Sequence, residues 1–303
     1  MHAVVFEEFG GPEVLRTEEV AEPHAGPGQV RVRVRAAGVN PMDFKIRRGW
    51  TKGFIDVTFP ATPGVEVAGV VDEVGEGARF AIGDEVVGWS ATGAYAEHAI
   101  VGNVVRKPAG LSWEQAVGLP VAGETSQRVL DALQLKAGET LLVHGAAGGV
   151  GSIAVQLAKA AGATVIGTAS PANHEFLRSI GAIPVAYGEG LVDRVRAVAP
   201  QGIDAVFDTA GKGGLQESIE LRGTTDRIVT IADFGAADLG IATSPGGSST
   251  PEEVAAGLTR QLEDAAAGNL QVRIAETFPL TDAAKAQELS ESGHAKGKVV
   301  VLP

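Results

Sequence analysis

The chain has 303 residues, 45% of them hydrophobic, which is enough for about two domains with sizeable cores. Its formal net charge of −12 argues against nucleic acid and anionic membrane as partners, and the absence of Cys excludes disulfides and thiolate metal sites. The six His lack metal-ligand spacing, no apolar run could span a bilayer, and no charged leader precedes an apolar stretch at the start, so a cytoplasmic protein without a metal is expected.

Residues 1–110 read as mostly β. A short apolar strand is predicted at 3–6. In Val30-Arg31-Val32-Arg33-Val34-Arg35-Ala36 the valines and arginines alternate, which puts one face in a core and the Arg face in water. Gly and Pro then punctuate apolar runs at 65–74, 85–89 and 95–101, a spacing that suggests a compact, partly open barrel.

From Ser112 the texture changes to helix alternating with strand. Ser112 and Gln115 form a capping-box pattern, and a second helical stretch runs over 124–133. Apolar segments at 141–144, 164–169, 183–186, 204–208 and 227–231 alternate with helical ones, including 172–180 and 191–199. That rhythm predicts right-handed crossovers and a doubly wound parallel sheet. Residues 238–251, rich in Gly, Ser, Thr and Pro, read as a loop. A helix at 252–267 carries Val254, Leu258 and Leu262 on one stripe, and the end returns to strand, turn, helix and a last strand from Lys298. The sheet domain, expected over 114–267, is thus inserted between a β-rich part, 1–113, and its own C-terminal segment, 268–303.

The sheet domain is organised around Leu141-Leu142-Val143-His144-Gly145-Ala146-Ala147-Gly148-Gly149-Val150-Gly151. A buried strand, a Gly-rich turn and a helix make a pyrophosphate site, because backbone N–H groups and the helix's positive end face the anion. Ala147, Gly148, Gly149 and Val150 are the candidate contacts. Gly148 lets the backbone approach the phosphates and Gly151 lets helix and strand pack closely. The second strand ends Gly167-Thr168-Ala169-Ser170, and the first acid after it is Glu175. An enzyme using NAD usually places Asp or Glu there for the ribose 2′-OH, so its absence favours NADP. Thr168, Ser170, His174 and Arg178 are the candidate contacts on that side. Arg178 falls one helical turn after His174, and imidazole in this role makes affinity pH-dependent.

Six segments together resemble the zinc-free quinone oxidoreductase branch of the medium-chain dehydrogenase/reductase superfamily: Gly38-Val39-Asn40-Pro41-Met42-Asp43, Pro63-Gly64-Val65-Glu66-Val67-Ala68-Gly69, Gly83-Asp84-Glu85-Val86, Gly93-Ala94-Tyr95-Ala96-Glu97, the turn 146–151, and Gly297-Lys298-Val299-Val300. They stand in the family's order across nearly the whole chain, and Asn40 to Lys45 resembles the alkenal/enone subgroup. The resemblance implies an α/β protein with a GroES-like β-rich catalytic domain, a Rossmann NADP-binding domain and an active site in the cleft between them. It implies NADPH-dependent reduction of a quinone or an α,β-unsaturated carbonyl, and it is compatible with a homodimer. Zinc-dependent cousins place His where this chain has Val65 and Cys around Asn40, so zinc chemistry is not expected.

The same resemblance places Asn40 on the nicotinamide ribose and Thr125 beside the nicotinamide. Tyr187 falls near a phosphate-contacting Tyr, with the spacing one residue shorter, and Ala232 and Phe234 line the carboxamide side. Lys45 is the candidate donor to an enolate or quinone oxygen, presented with Asn40 by a turn that Pro41 stiffens. Asp43 is expected to fix that loop and Tyr95 to pack the barrel or offer a phenol. Trp50, Phe54 and Phe234 are candidates for an apolar substrate wall or for core. An enoyl reductase of a biosynthetic pathway and an NADPH-binding sensor without turnover are the alternative functions.

Overall fold

The computed structural model describes residues 1–244 and 249–303. The chain divides into two compact units, residues 1–121 with 258–303, and residues 122–257. The first opens with an antiparallel ribbon of β1 (His2–Val5) and β2 (Arg16–Glu19). The long strand β3 (Val30–Val39) follows its sequence period: Val30, Val32 and Val34 are buried, while Arg33 and Arg35 are exposed. Arg31, its side chain mostly covered, is held in ion pairs by Glu22, Asp72 and Glu73.

Residues 40–45, expected as a turn, instead begin a helix, α1 (Pro41–Arg47). Asn40 is its N-cap in extended conformation, Pro41 supplies the first helical φ, and the Asp43 carboxylate accepts the Asn40 N–H at 2.9 Å. Tertiary contacts complete it. Arg47 is fully buried, donating to Gln287 at 2.7 Å, the Gly10 carbonyl at 3.0 Å and Glu291 at 2.9 Å. Strands β4 (Glu66–Val74), β5 (Glu85–Ser90) and β6 (His98–Arg106) then pair in antiparallel succession, and β6 returns to β3. The short helix α2 (Trp113–Val117) starts at the Ser112–Gln115 capping box that the sequence predicts.

Helix α3 (Pro120–Ala132) leads into the second unit. There β7 (Thr140–His144) is buried throughout and runs through the Gly turn into α4 (Gly149–Ala160). The alternation continues with β8 (Thr164–Ala169), α5 (His174–Ser179), β9 (Ile183–Ala186), α6 (Leu191–Val198), β10 (Ala205–Asp208), α7 (Leu215–Arg222) and β11 (Ile228–Thr230). The two-residue strand β12 (Ala242–Thr243) ends the sheet, and α8 (Pro251–Ala266) follows. All pairings are parallel in the order β12-β11-β10-β7-β8-β9, a doubly wound sheet whose direction of winding reverses at β7. Ligands bind such sheets beyond the carboxyl ends of the strands at the reversal point. The stretch 238–251, expected as loop throughout, contains part of a 3₁₀ turn (Ala236–Leu239) and β12. Buried Ile241 draws Ala242 and Thr243 beside β11. Residues 245–248 of that loop lie outside the described residues.

The chain then rejoins the first unit. Strand β13 (Ile274–Pro279) and helix α9 (Ala283–Ser292) lead to β14 (Lys298–Leu302), which pairs in parallel with β13 and antiparallel with β3. The sheet order is β13-β14-β3-β4-β5-β6, with β3 also pairing β6 to make the partly open barrel. Its core is Val30, Val32, Val34, Val67, Val71 and Val301 with the fully buried ring of Tyr95.

Candidate active site

Within the β-rich unit, the residues around Asn40 form a buried polar cluster. Asn40 Nδ2 donates to Glu66 Oε1 at 2.8 Å, and Asn40 Oδ1 accepts from Lys298 Nζ at 2.8 Å. Lys298 also forms a direct ion pair with Glu66, whose second oxygen accepts the Val121 N–H at 2.9 Å. Strand geometry makes room for this. Glu66 pairs with Gly38 across β4 and β3, and a Cβ on Gly38 would overlap the Glu66 carboxylate. One helical turn on from Asn40, Asp43 Oδ2 accepts both the Asn40 N–H and the Tyr95 phenol, the latter at 2.8 Å. Burial pushes the Asp43 carboxyl up to about 7, opposed by the Asn40 and Tyr95 hydrogen bonds and by the Lys298 charge. Tyr95 is pushed well above its ordinary value by burial and the Asp43 charge. Gly64, at φ +96°, leaves the space the Tyr95 ring fills: its Cβ would stand 2.5 Å from the ring. Asp43 therefore anchors a helix start, and Tyr95 both packs the barrel and caps that anchor.

Lys45 lies two residues further along α1, half-buried, with its ammonium pKa lowered by desolvation. Trp50 packs edge-on against Phe44 at 6.0 Å yet is largely exposed, and Phe54 is 93% exposed, so neither belongs to the core. Phe234 is likewise exposed, at 81%.

In the second unit the Gly turn has the geometry of an anion cradle. Gly145 adopts φ +70°, and Gly148 is the N-cap of α4 with no side-chain cap. The first turn of α4 therefore leaves N–H groups without intrahelical acceptors. A Cβ on Gly149 would meet open space, whereas one on Gly151 would run into the Gly145 carbonyl and lie 2.8 Å from Ala146 Cα. Gly151 thus serves packing, and Gly149 leaves the approach to the turn clear. Ala147 is buried, and the Val150 carbonyl accepts the Ser126 hydroxyl at 3.1 Å. Thr168 is buried, its hydroxyl 3.3 Å from both the Gly145 N–H and His144 Nδ1. His144 Nε2 meets the Ser218 hydroxyl at 2.8 Å, and burial lowers the imidazole pKa against the pull of Asp208 and Glu217. The ring reaches the turn through the Thr168 hydroxyl that it shares with the Gly145 N–H.

At the end of β8, the Ser170 hydroxyl accepts from Asn173 at 3.2 Å, and His174 Nε2 lies 3.3 Å from the Ala169 carbonyl oxygen. The structure thus brings Ser170 and His174 together at one strand end. Arg178 is exposed on α5, and Tyr187 is exposed after β9. Thr125 is buried on α3, within 3.5 Å of Glu124 and Arg128, and Ala232 is half-buried after β11. A dinucleotide phosphate fits the uncapped helix start and the clear space at Gly149.

The alcohol dehydrogenase GroES-like domain family matches residues 26–123, and the zinc-binding dehydrogenase family matches 180–301. The quinone oxidoreductase of Lama guanicoe is 33% identical, covering 100% of this chain and 97% of the relative. The chain belongs to the quinone oxidoreductase branch of the medium-chain dehydrogenase/reductase superfamily. A 2-haloacrylate reductase from Burkholderia sp is also 33% identical, with 99% of this chain and 98% of that protein covered. The crystal structure of Escherichia coli quinone oxidoreductase complexed with NADPH superposes with a TM-score of 0.90 at 29% identity, covering 100% of both chains. Zinc does not fit the donors present. The chain has no Cys, no group of three His, Asp or Glu among the described residues could hold a metal ion, and Glu66 is already committed to the Lys298 ammonium.

Glu66, Lys298 and His144 carry no role in the sequence pattern, although all three stand in the quoted stretches. Each is a buried polar residue at the end of an apolar strand, Glu66 opening β4, Lys298 opening β14 and His144 closing β7, and a polar residue abutting an apolar run is the available signal for a buried, paired group.

Proposed function

We propose that this protein is an NADPH-dependent, zinc-independent reductase of conjugated carbonyl compounds, quinones or α,β-unsaturated carbonyls. The uncapped, glycine-cleared start of α4 carries this reading, beside a β8 end that offers Ser170 and His174 and no carboxylate before Glu175. An acid there would repel a 2′-phosphate, whereas a hydroxyl, an imidazole and the Arg178 guanidinium can receive it. The relatives' acceptors, quinones and 2-haloacrylate, share a conjugated electron sink.

Bound NADPH supplies the hydride. The chain's residues do the remainder. The N–H groups at 147–150 hold the pyrophosphate, and Tyr187 adds a contact on the phosphate side. Thr125, Ala232 and Phe234 border the nicotinamide. Asn40 holds its ribose through the N–H that Glu66 leaves unused. As the substrate is reduced, negative charge grows on its oxygen, and Lys45 stabilises it. Its partial burial lowers the local dielectric, so the ammonium acts more strongly than in bulk water and gives up its proton more readily.

A panel of benzoquinones, naphthoquinones, alkenals and 2-haloacrylate, with NADPH oxidation and products both followed, tests this reading. Turnover on at least one conjugated acceptor, undiminished by exhaustive chelation, is expected. Turnover only on saturated alcohols, or a loss on chelation restored by zinc, contradicts it.

A further inference from the structure

The Glu66–Lys298 pair is more elaborate than the barrel requires. Both groups are buried, at 0% and 5% exposure. Buried ion pairs are often no more stabilising than apolar residues of the same size, so their presence is weak evidence of a role in stability alone. The pair's geometry is informative. An Asn side chain has two N–H donors and one carbonyl oxygen, and its amide can be turned over without changing its shape. Here the carbonyl oxygen faces the Lys298 ammonium and the NH₂ faces the Glu66 carboxylate. Turning the amide over would set NH₂ against ammonium and oxygen against carboxylate, two repulsive contacts between buried groups. Glu66 is itself fixed at both oxygens, by Asn40 and Lys298 on one and the Val121 N–H on the other. Asn40 also caps α1, so its backbone is fixed.

We infer that Glu66 and Lys298 are positioning residues of the reductase, locking the Asn40 amide in one orientation so that its second N–H is presented to the cofactor as a donor. This rests on the proposed contact of Asn40 with the nicotinamide ribose. Neither residue needs to touch cofactor or substrate. Their effect is on how squarely the nicotinamide is held, and misplacement of about 1 Å in a reacting pair costs about 100-fold in rate.

The test compares wild type with Lys298→Met, Asn40→Ala, the double variant and Glu66→Gln. Single-turnover NADPH oxidation at saturating cofactor and a fixed quinone is the main readout. The deuterium isotope effect from 4-deuterated NADPH and the thermal midpoint are recorded alongside. Lys298→Met is expected to slow hydride transfer about 10- to 100-fold with a fully expressed isotope effect. The double variant should be no slower than the slower single variant, because Lys298 acts only through Asn40. Should Lys298→Met fail to fold, Glu66→Gln keeps the side-chain shape while removing the charge that orients the amide, and it should slow the same step. A wild-type rate in Lys298→Met or, if that fails to fold, in Glu66→Gln overturns the inference. So does a double-variant loss equal to the product of the two single losses. If wild type oxidises NADPH and Asn40→Ala does so equally fast, Asn40 is not a cofactor contact and the inference falls with it. Wild type that oxidises NADPH with no conjugated acceptor overturns the functional reading itself.

Discussion

Two glycines two residues apart should respond in opposite ways to the same added methyl group. At Gly151 a Cβ would overlap the Gly145 carbonyl and stand 2.8 Å from Ala146 Cα, both backbone atoms that cannot swing away. Overpacking of this kind costs about 1–3 kcal/mol. At Gly149 the methyl meets nothing within 4 Å, and replacing Gly by Ala in a helix is neutral to favourable by up to about 1 kcal/mol. The open space at Gly149 is, however, where a pyrophosphate would lie against the turn. Displacing it from one charge-assisted N–H contact costs about 1.5–3 kcal/mol, roughly 10- to 150-fold in Kd. Gly149→Ala is therefore expected to keep the wild-type thermal midpoint and weaken NADPH at least tenfold in a fluorescence titration. Gly151→Ala should lose several degrees, since 1 kcal/mol shifts the midpoint by about 2–4 °C for a domain of 150–250 residues. Wild-type NADPH affinity in Gly149→Ala would refute the phosphate assignment, and an unchanged midpoint in Gly151→Ala would refute the packing argument.

Other substitutions report on separate parts of the account. Ser170→Asp sets a carboxylate beside the proposed 2′-phosphate and should weaken NADPH while affecting NADH much less; equal losses for both cofactors in parallel titrations contradict the placement. Lys45→Met should lower kcat by about 100- to 1,000-fold with NADPH affinity nearly unchanged, as expected when a donor's partner exists only during reaction; weakened NADPH binding with normal saturated turnover would make Lys45 a cofactor ligand instead. Asp43 holds its proton in the folded state up to about pH 7 against an ordinary 3.8, so its favourable contribution is complete below about 3.8 and declines as pH rises to 7. Urea melts at pH 4.5 and 7.5 should show that decline, at most about 1.4 kcal/mol per pH unit, in wild type and not in Asp43→Asn; matching profiles would contradict it.

Local signals carried much of the fold. The Val/Arg alternation of β3 is a period-2 pattern that only a one-sided strand satisfies, and Val32 and Val34 are buried as it requires. The run into Gly145–Gly151 made β7, the turn and α4 legible together. Helix α1 was not, because Asn-Pro opens turns and helices alike; burial of Phe44 and Arg47 and the return bond from Asp43 decide between them. The polar cluster was least legible. Asn40, Glu66 and Lys298 are separated by 26 and 232 residues, and only the pairing of β3 with both β4 and β14 brings them together. The stretch 238–251 misled in a smaller way, since its Gly and Ser content masked the buried Ile241 that seats β12.

The central claim is NADPH-dependent reduction of a conjugated acceptor, and stoichiometry tests it most directly. Purified protein is mixed with NADPH and each acceptor of the panel, and cofactor oxidised is compared with product formed, with NADH run in parallel. Two-electron reduction with one equivalent of product per NADPH is expected for at least one acceptor, with a clear preference for NADPH over NADH. Tight NADPH binding without oxidation by any acceptor would instead mark a sensor, and a preference for NADH would overturn the reading of the β8 end.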